Sequence, residues 1–297
     1  MARPSTGIIL VLVSAVAFGL MPIMARFAYA NGVGVVELLF VRFLFGFMFM
    51  GAILLASGRL ILPGRTDLLM LILLGAFAYG LQSGLYFTSL LYSPIAIVAL
   101  VLYTYPVFTT IGAFVLGWER VSKPLAAALV IALAGLVLVA NPSGEQLGFG
   151  VILALGASII YTIYILGGSK VLRRVRGDVG AFYVMGAASV SFGLAGEFTK
   201  TIHLNFGLMG WFWVAMLTLV GSIVGLPLFF MGLSKIGPSR ASLISLLEPL
   251  TSIFASLALF GNSLTASQWF GGLLILIATA ITALYSRPEP LAQPIIT

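Results

Sequence analysis

The sequence predicts an all-α membrane protein of ten transmembrane helices built as two inverted five-helix repeats, and three observations carry that reading. Of 297 residues, 61% are hydrophobic and 8% are charged, whereas a soluble domain carries roughly a quarter charged residues. The stretches Leu68 to Trp118 and Thr201 to Ser234 contain no Asp, Glu, Lys or Arg; each is long enough to cross a bilayer, and the first to cross it twice. Third, the chain laid on itself places Gly84 to Leu116 over Pro227 to Leu259 without a gap. This pairs Leu85 with Leu228, Phe87 with Phe230, Leu90 with Leu233, Leu100 with Leu243, Pro106 with Pro249 and Leu116 with Leu259. The same shift lays the five spans of residues 1–143 over the five of residues 144–297. Five is an odd number of crossings, so the two copies face opposite ways across the membrane.

Apolar runs bounded by Gly, Pro and charged breaks place the first repeat's helices at 7–28, 36–57, 67–91, 94–117 and 123–140. Those of the second fall at 148–169, 180–199, 209–234, 238–260 and 265–286, followed by a short C-terminal tail. The first run, Gly7 to Ala25, is followed by further spans rather than by a cleavage site and a polar chain, so it reads as a retained helix. The second carries Arg42 five residues after Glu37. Tyr92-Ser93-Pro94 separates the third from the fourth, and Gly237-Pro238 opens the ninth. Gly75, Gly80, Gly84, Gly221 and Gly225 predict close helix contacts in spans three and eight. Trp118, Trp211, Trp213 and Trp269 fall near helix ends, where interfacial anchoring accounts for them.

The net charge of +7 forms no basic stripe of the kind that binds nucleic acid. With a cytoplasmic N-terminus, the inner segments hold Arg3, Arg59, Arg65, Arg120, Lys123, Lys170, Arg173, Arg174, Arg176, Lys235, Arg240 and Arg287, and the outer ones only Arg26 and Lys200. This positive-inside bias puts both termini in the cytoplasm of a multi-pass protein in a bacterial inner membrane. The Arg173, Arg174 and Arg176 loop reads first as a topology determinant and second as a contact for anionic membrane lipids. Without cysteine, and with His203 the lone histidine, no metal or cofactor site is expected.

Glu248 is the acidic residue placed deep in the membrane, beside Pro249. A charge there serves as a proton carrier or as a partner for a substrate amine, or, in the plainer reading, satisfies backbone groups freed by the proline. Pro106 and Pro249, at matched places in spans four and nine, are hinge candidates. Arg42 offers a rigid fork of donors to a substrate carboxylate; the alternatives are snorkelling to the interface and pairing with a nearby acid. Tyr79, Gln82 and Tyr86 share helical spacing, and Tyr103, Tyr161 and Tyr164 add phenols from spans four and six. Hydroxyl and amide groups at membrane depth belong in the protein interior, as a substrate-binding surface or as ordinary packing.

Gly237-Pro238-Ser239-Arg240-Ala241 leading into Glu248-Pro249, then Leu264-Thr265, Gln268-Trp269 and Gly271-Gly272, resemble the EamA-type branch of the drug/metabolite transporter superfamily over nearly the whole chain. That resemblance implies export or exchange of small metabolites through a central cavity between the halves. The aromatic content is most similar to bacterial exporters of aromatic and other neutral amino acids. A monomer suffices for such a cycle. An intramembrane enzyme would need a nucleophile with a base, a metal set or paired carboxylates. Ser14, Ser158 and Ser245 have no histidine at their depth, and Glu248 has no acidic companion. A channel would show a filter-like loop or a polar ring, and a carrier of sugar phosphates, nucleotide sugars or lipid-linked groups would need more than the single Arg42.

Overall fold

The computed structural model describes residues 4–140, 148–260 and 265–284, and among these every regular element is helical. A chain this apolar has little choice, because a backbone in lipid must satisfy its own N–H and C=O groups. α1 (Pro4–Ala30) and α2 (Val35–Ala56) are followed by α3 (Arg65–Leu73), which continues through a π-helical stretch (Leu74–Tyr79) into α4 (Gly80–Tyr92). Next come α5 (Ile95–Leu102), α6 (Tyr105–Val115), α7 (Lys123–Ala140), α8 (Phe149–Val171) and α9 (Gly177–Thr199). α10 (Leu208–Leu217) passes through a second π-helical stretch (Thr218–Gly225) into α11 (Leu226–Ile236), and α12 (Pro238–Ile244), α13 (Leu247–Phe260) and α14 (Ala266–Leu284) complete the described chain.

Eight of the resulting rods are long and apolar enough to cross a membrane, and Lys123–Val139 is a shorter apolar helix. The expected ninth span, 238–260, is divided between α12 and α13 with Ser245 and Leu246 between them. The expected fourth span is divided likewise at Tyr103 and Thr104. Each interruption lies a few residues before the proline expected to cause it. Pro106 and Pro249 start the second half-helix, where the missing N–H would have had no partner in any case. Thr104 Oγ1 donates to the Val101 carbonyl (2.8 Å) beside the first break.

The packing is reciprocal. α1 lies against α11 and α4 against α8, α2 pairs with α9, and α7 pairs with α14. Small residues permit these approaches: a Cβ on Gly135 would come within 2.6 Å of the Gly271 carbonyl, and one on Gly271 within 2.6 Å of that of Gly135. Of the glycines expected at contacts, Gly75 closes on the Val184 carbonyl, Gly221 on Met21 and Gly225 on Phe18; Gly80 and Gly84 sit more loosely near Phe192. The outer surface is apolar, with Leu55, Phe77, Val115, Phe198 and Leu208 exposed, as a lipid-facing wall requires.

Candidate functional site

α2 carries Arg42 into the centre of the bundle, where it is fully buried. Its Nε donates to Ser222 Oγ (2.9 Å) and its Nη2 to Tyr79 Oη (3.0 Å). Tyr79 ends the π-helical stretch of one half and Ser222 lies in that of the other. An extra residue in a turn redirects side chains, and such π segments recur at functional sites. The guanidinium also lies over the rings of Phe43 (4.7 Å) and Phe87 (5.5 Å). Its Nη1 has no hydrogen-bond partner. Arg42, fully buried and held by Ser222 and Tyr79, therefore neither snorkels nor pairs with Glu37.

From Tyr79 a ladder of rings crosses the core. Tyr79 stacks on Tyr164 (4.7 Å between centroids), Tyr164 on Tyr161 (5.8 Å), Tyr161 meets Tyr105 edge-on (4.6 Å), and Tyr105 lies 6.1 Å from Tyr103. Tyr103 Oη donates to Glu248 Oε2 (2.9 Å). Glu248 is 6% exposed, and its Oε1, like Tyr164 Oη, has no hydrogen-bond partner. A guanidinium and a carboxyl group thus stand at opposite ends of one row of rings, each with a polar atom that has no hydrogen-bond partner. A lone charge at membrane depth costs several kcal/mol, which is the physical ground for assigning these two a task.

Six of the expected site residues, Arg42, Tyr79, Tyr103, Tyr161, Tyr164 and Glu248, meet in this assembly. Tyr86 is buried beside it, edge-on to Phe87 (5.2 Å). Gln82 is also buried, but its Oε1 accepts from the adjacent Ser83 hydroxyl (3.3 Å), not from the ladder. Tyr105 and Ser222 belong to the assembly and were not expected. In a continuous helix Tyr103 and Tyr105 would point about 200° apart; the break between α5 and α6 lets both turn inward. Ser222 is separated from Arg42 by 180 positions, and nothing local marks it. Among the described residues no three His, Cys, Asp or Glu side chains converge as metal ligands.

The sequence profile of the EamA-like transporter family matches this chain twice, over residues 5–141 and 148–284. The chain belongs to the EamA-like transporter family. It is therefore a multi-pass membrane transporter of two repeats rather than an enzyme. It is 30% identical over 274 residues to an uncharacterized transporter of Archaeoglobus fulgidus, covering 91% of this chain and 94% of that one. It is 27% identical over 265 residues to the inner membrane transporter YedA of Escherichia coli, covering 86% and 85%. A solved crystal structure superposes with a TM-score of 0.80 over 96% of this chain and 100% of that one, at 18% identity, which speaks to the fold alone.

Proposed function

We propose that this EamA-family transporter is a secondary exporter of amino acids, chiefly aromatic and other neutral ones, working by alternating access between two inverted repeats. The observation that carries the reading is the pair of free atoms at the ends of the tyrosine ladder, Arg42 Nη1 and Glu248 Oε1. An amino acid at neutral pH is a zwitterion. Ammonium and carboxylate share one carbon, so the substrate engages the two ends at different stages of the cycle: its carboxylate suits the guanidinium, its ammonium suits the carboxylate of Glu248, and its side chain suits the aromatic faces. The two open atoms replace the water that such a substrate gives up on leaving solution. A phosphorylated substrate carries more negative charge than one arginine offsets, and that disfavours the sugar-phosphate alternative.

Ten spans, with a repeat boundary near residues 143 and 144, both termini cytoplasmic and residence in an inner membrane complete the proposal. The distribution of Lys and Arg, the reciprocal packing and the family's two matched segments support it. A monomer among membrane lipids completes one transport unit. Flux through an alternating-access carrier follows the gradients, so export is the direction they set.

The test is uptake of radiolabelled phenylalanine, methionine, threonine and glutamate into proteoliposomes, beside empty liposomes and the Glu248→Gln and Arg42→Lys variants. Saturable, competable uptake of the neutral amino acids, with KM raised about ten- to hundredfold in Arg42→Lys, is the expected result. Folded protein that moves none of them above the empty-liposome level overturns the amino-acid assignment and leaves the transporter fold standing.

A further inference from the structure

Toward the Lys235 end of the bundle, a second polar feature leads to Glu248. α12 carries a serine at every third position, Ser239, Ser242 and Ser245, and Glu248 continues the series into α13. An α-helix would turn such a row aside by about 60° at each step. The junction is wound tighter than that: Leu246 N–H donates to the Leu243 carbonyl and Glu248 N–H to that of Ser245, each three residues back. Three-residue turns eclipse positions i and i+3, so Ser245 and Glu248 stand one above the other.

All three serines are buried to 1% exposure or less. Ser242 Oγ donates to the Ser239 carbonyl (2.9 Å), whereas Ser239 Oγ and Ser245 Oγ have no protein partner. Ser245 Oγ lies beside Tyr105 and Glu248. α6 packs against α12, bringing Tyr105 Oη to 3.5 Å from the Ser242 carbonyl. One turn farther along α6, Thr109 Oγ1 is likewise buried without a partner. Three buried hydroxyls without a partner call for an explanation, and water is the usual partner of such groups.

At the outer end of the row stands Glu119, half-buried in the connection between α6 and α7. Its Oε2 accepts the Ser239 N–H (3.3 Å). Arg240 and Arg173 are the charged groups facing it. Burial pushes its carboxyl above the ordinary value of 4.5, so it holds a proton more readily than an exposed glutamate. At the inner end, Glu248 faces the phenols of Tyr103 and Tyr105, with Tyr79, Tyr86 and Tyr161 within electrostatic range. α1 meets α13 there through Gly19 and Ser252, and α14 contains no ionisable residue.

We propose that the row from Glu119 through Ser239, Ser242 and Ser245 is a hydrated proton route to Glu248. A proton taken from water by the Glu119 carboxylate passes along waters and hydroxyls, each oxygen accepting one proton and releasing another. It ends on the Glu248 carboxylate, which becomes a neutral acid; no other bond changes and no electron moves. The inference rests on reading Glu248 as a working group of the site, but not on the amino-acid assignment.

The test uses no substrate, so its failure is distinguishable from failure of that assignment. The full chain in lipid nanodiscs is taken through a rapid pH drop while infrared absorption follows the protonated-carboxyl band that is missing in Glu248→Gln. In the Ser239→Val/Ser245→Val double variant and in Glu119→Gln the band is expected to rise roughly tenfold more slowly than in wild type, with its final amplitude unchanged. Ser234→Val, at an exposed serine outside the row, is expected to match wild type. If the double variant does not elute as folded protein, Glu119→Gln, whose change lies outside the membrane, carries the comparison. Wild-type kinetics in the folded row variants, or a Glu248 band that moves at no pH at which the protein stays folded, overturns the proposal.

Discussion

Arg42 binds two parts of the molecule that share no sequence neighbourhood, and its planar fork is what allows it. Nε and Nη2 are committed to Ser222 and Tyr79 while Nη1 stays open. Lysine keeps the charge but cannot direct three donors along fixed lines. Arg42→Lys is therefore expected to leave a folded protein that loses roughly 1.5–3 kcal/mol of substrate interaction, read as about a ten- to hundredfold rise in KM in the liposome assay. An unchanged KM would remove Arg42 from the site. Tyr164 separates the two roles left open for the tyrosines. Its hydroxyl has no protein partner, so Tyr164→Phe removes an unsatisfied group and should leave thermal stability equal or higher by up to about 1 kcal/mol. A hydroxyl that meets substrate shows itself as reduced transport at that undiminished stability; equal transport assigns Tyr164 to stacking alone. The burial of most residues in this candidate assembly was legible in the sequence, because the cost of polar groups against lipid points them inward whatever they do there. Ser222 was not legible, since a lone serine in an apolar helix hydrogen-bonds its own backbone as readily as a distant arginine.

At the scale of elements, the helices were legible and their interruptions were not. Hydropathy reports how much backbone is buried in lipid, and a π-helical turn or a two-residue break changes that hardly at all. The helix interruptions lie two to four residues before the matched prolines. Proline removes a donor, and the donors of a first helical turn are unused, so the chain breaks just before Pro106 and Pro249 instead of bending at them. The seam between α7 and α14 follows from small residues more directly. With each glycine Cβ position 2.6 Å from the other's carbonyl, Gly271→Val forces the pair apart and is expected to cost roughly 1–3 kcal/mol, seen as a lower thermal midpoint. Gly58→Ala, where no atom lies within 4 Å, tests a different penalty, the positive φ of a turn, and should cost less than 271 does. Glu119 links the α6–α7 connection to α12 and gives that contact a pH dependence. Its carboxyl ionises at higher pH in the folded protein than in the unfolded chain, so the folded state holds the extra proton in the window above 4.5. Stability from this group is fully present below that window and falls as pH rises through it. The difference in thermal midpoint between wild type and Glu119→Gln should therefore change across that window, and a constant difference would show that Glu119 does not titrate there.

For the whole molecule the open question is orientation, and the chemistry of the chain makes it accessible. The positive-inside argument depends on where short loops lie, and it assigns opposite orientations to the two halves only if each half crosses the membrane an odd number of times. Because the sequence contains no cysteine, single cysteines introduced into otherwise native protein report their side without background. Arg174→Cys, in the loop between α8 and α9, is expected to react with a membrane-impermeant maleimide only after the membrane is opened. His203→Cys, between α9 and α10, is expected to react in intact cells. Asn31→Cys, between α1 and α2, should behave like position 203, and Gly64→Cys, just before α3, like position 174. Together the four positions flank α2 in the first repeat and α9 in the second. Positions 31 and 203 lie after the first helix of one repeat and after the second helix of the other, which share a side only when the repeats are inverted. Labelling of 31 and 203 from opposite sides would replace the inverted pair with two parallel copies. The reciprocal helix packing would then need a pseudo-twofold axis along the membrane normal instead of within its plane, and the route from Glu119 to Glu248 would need its side reassigned.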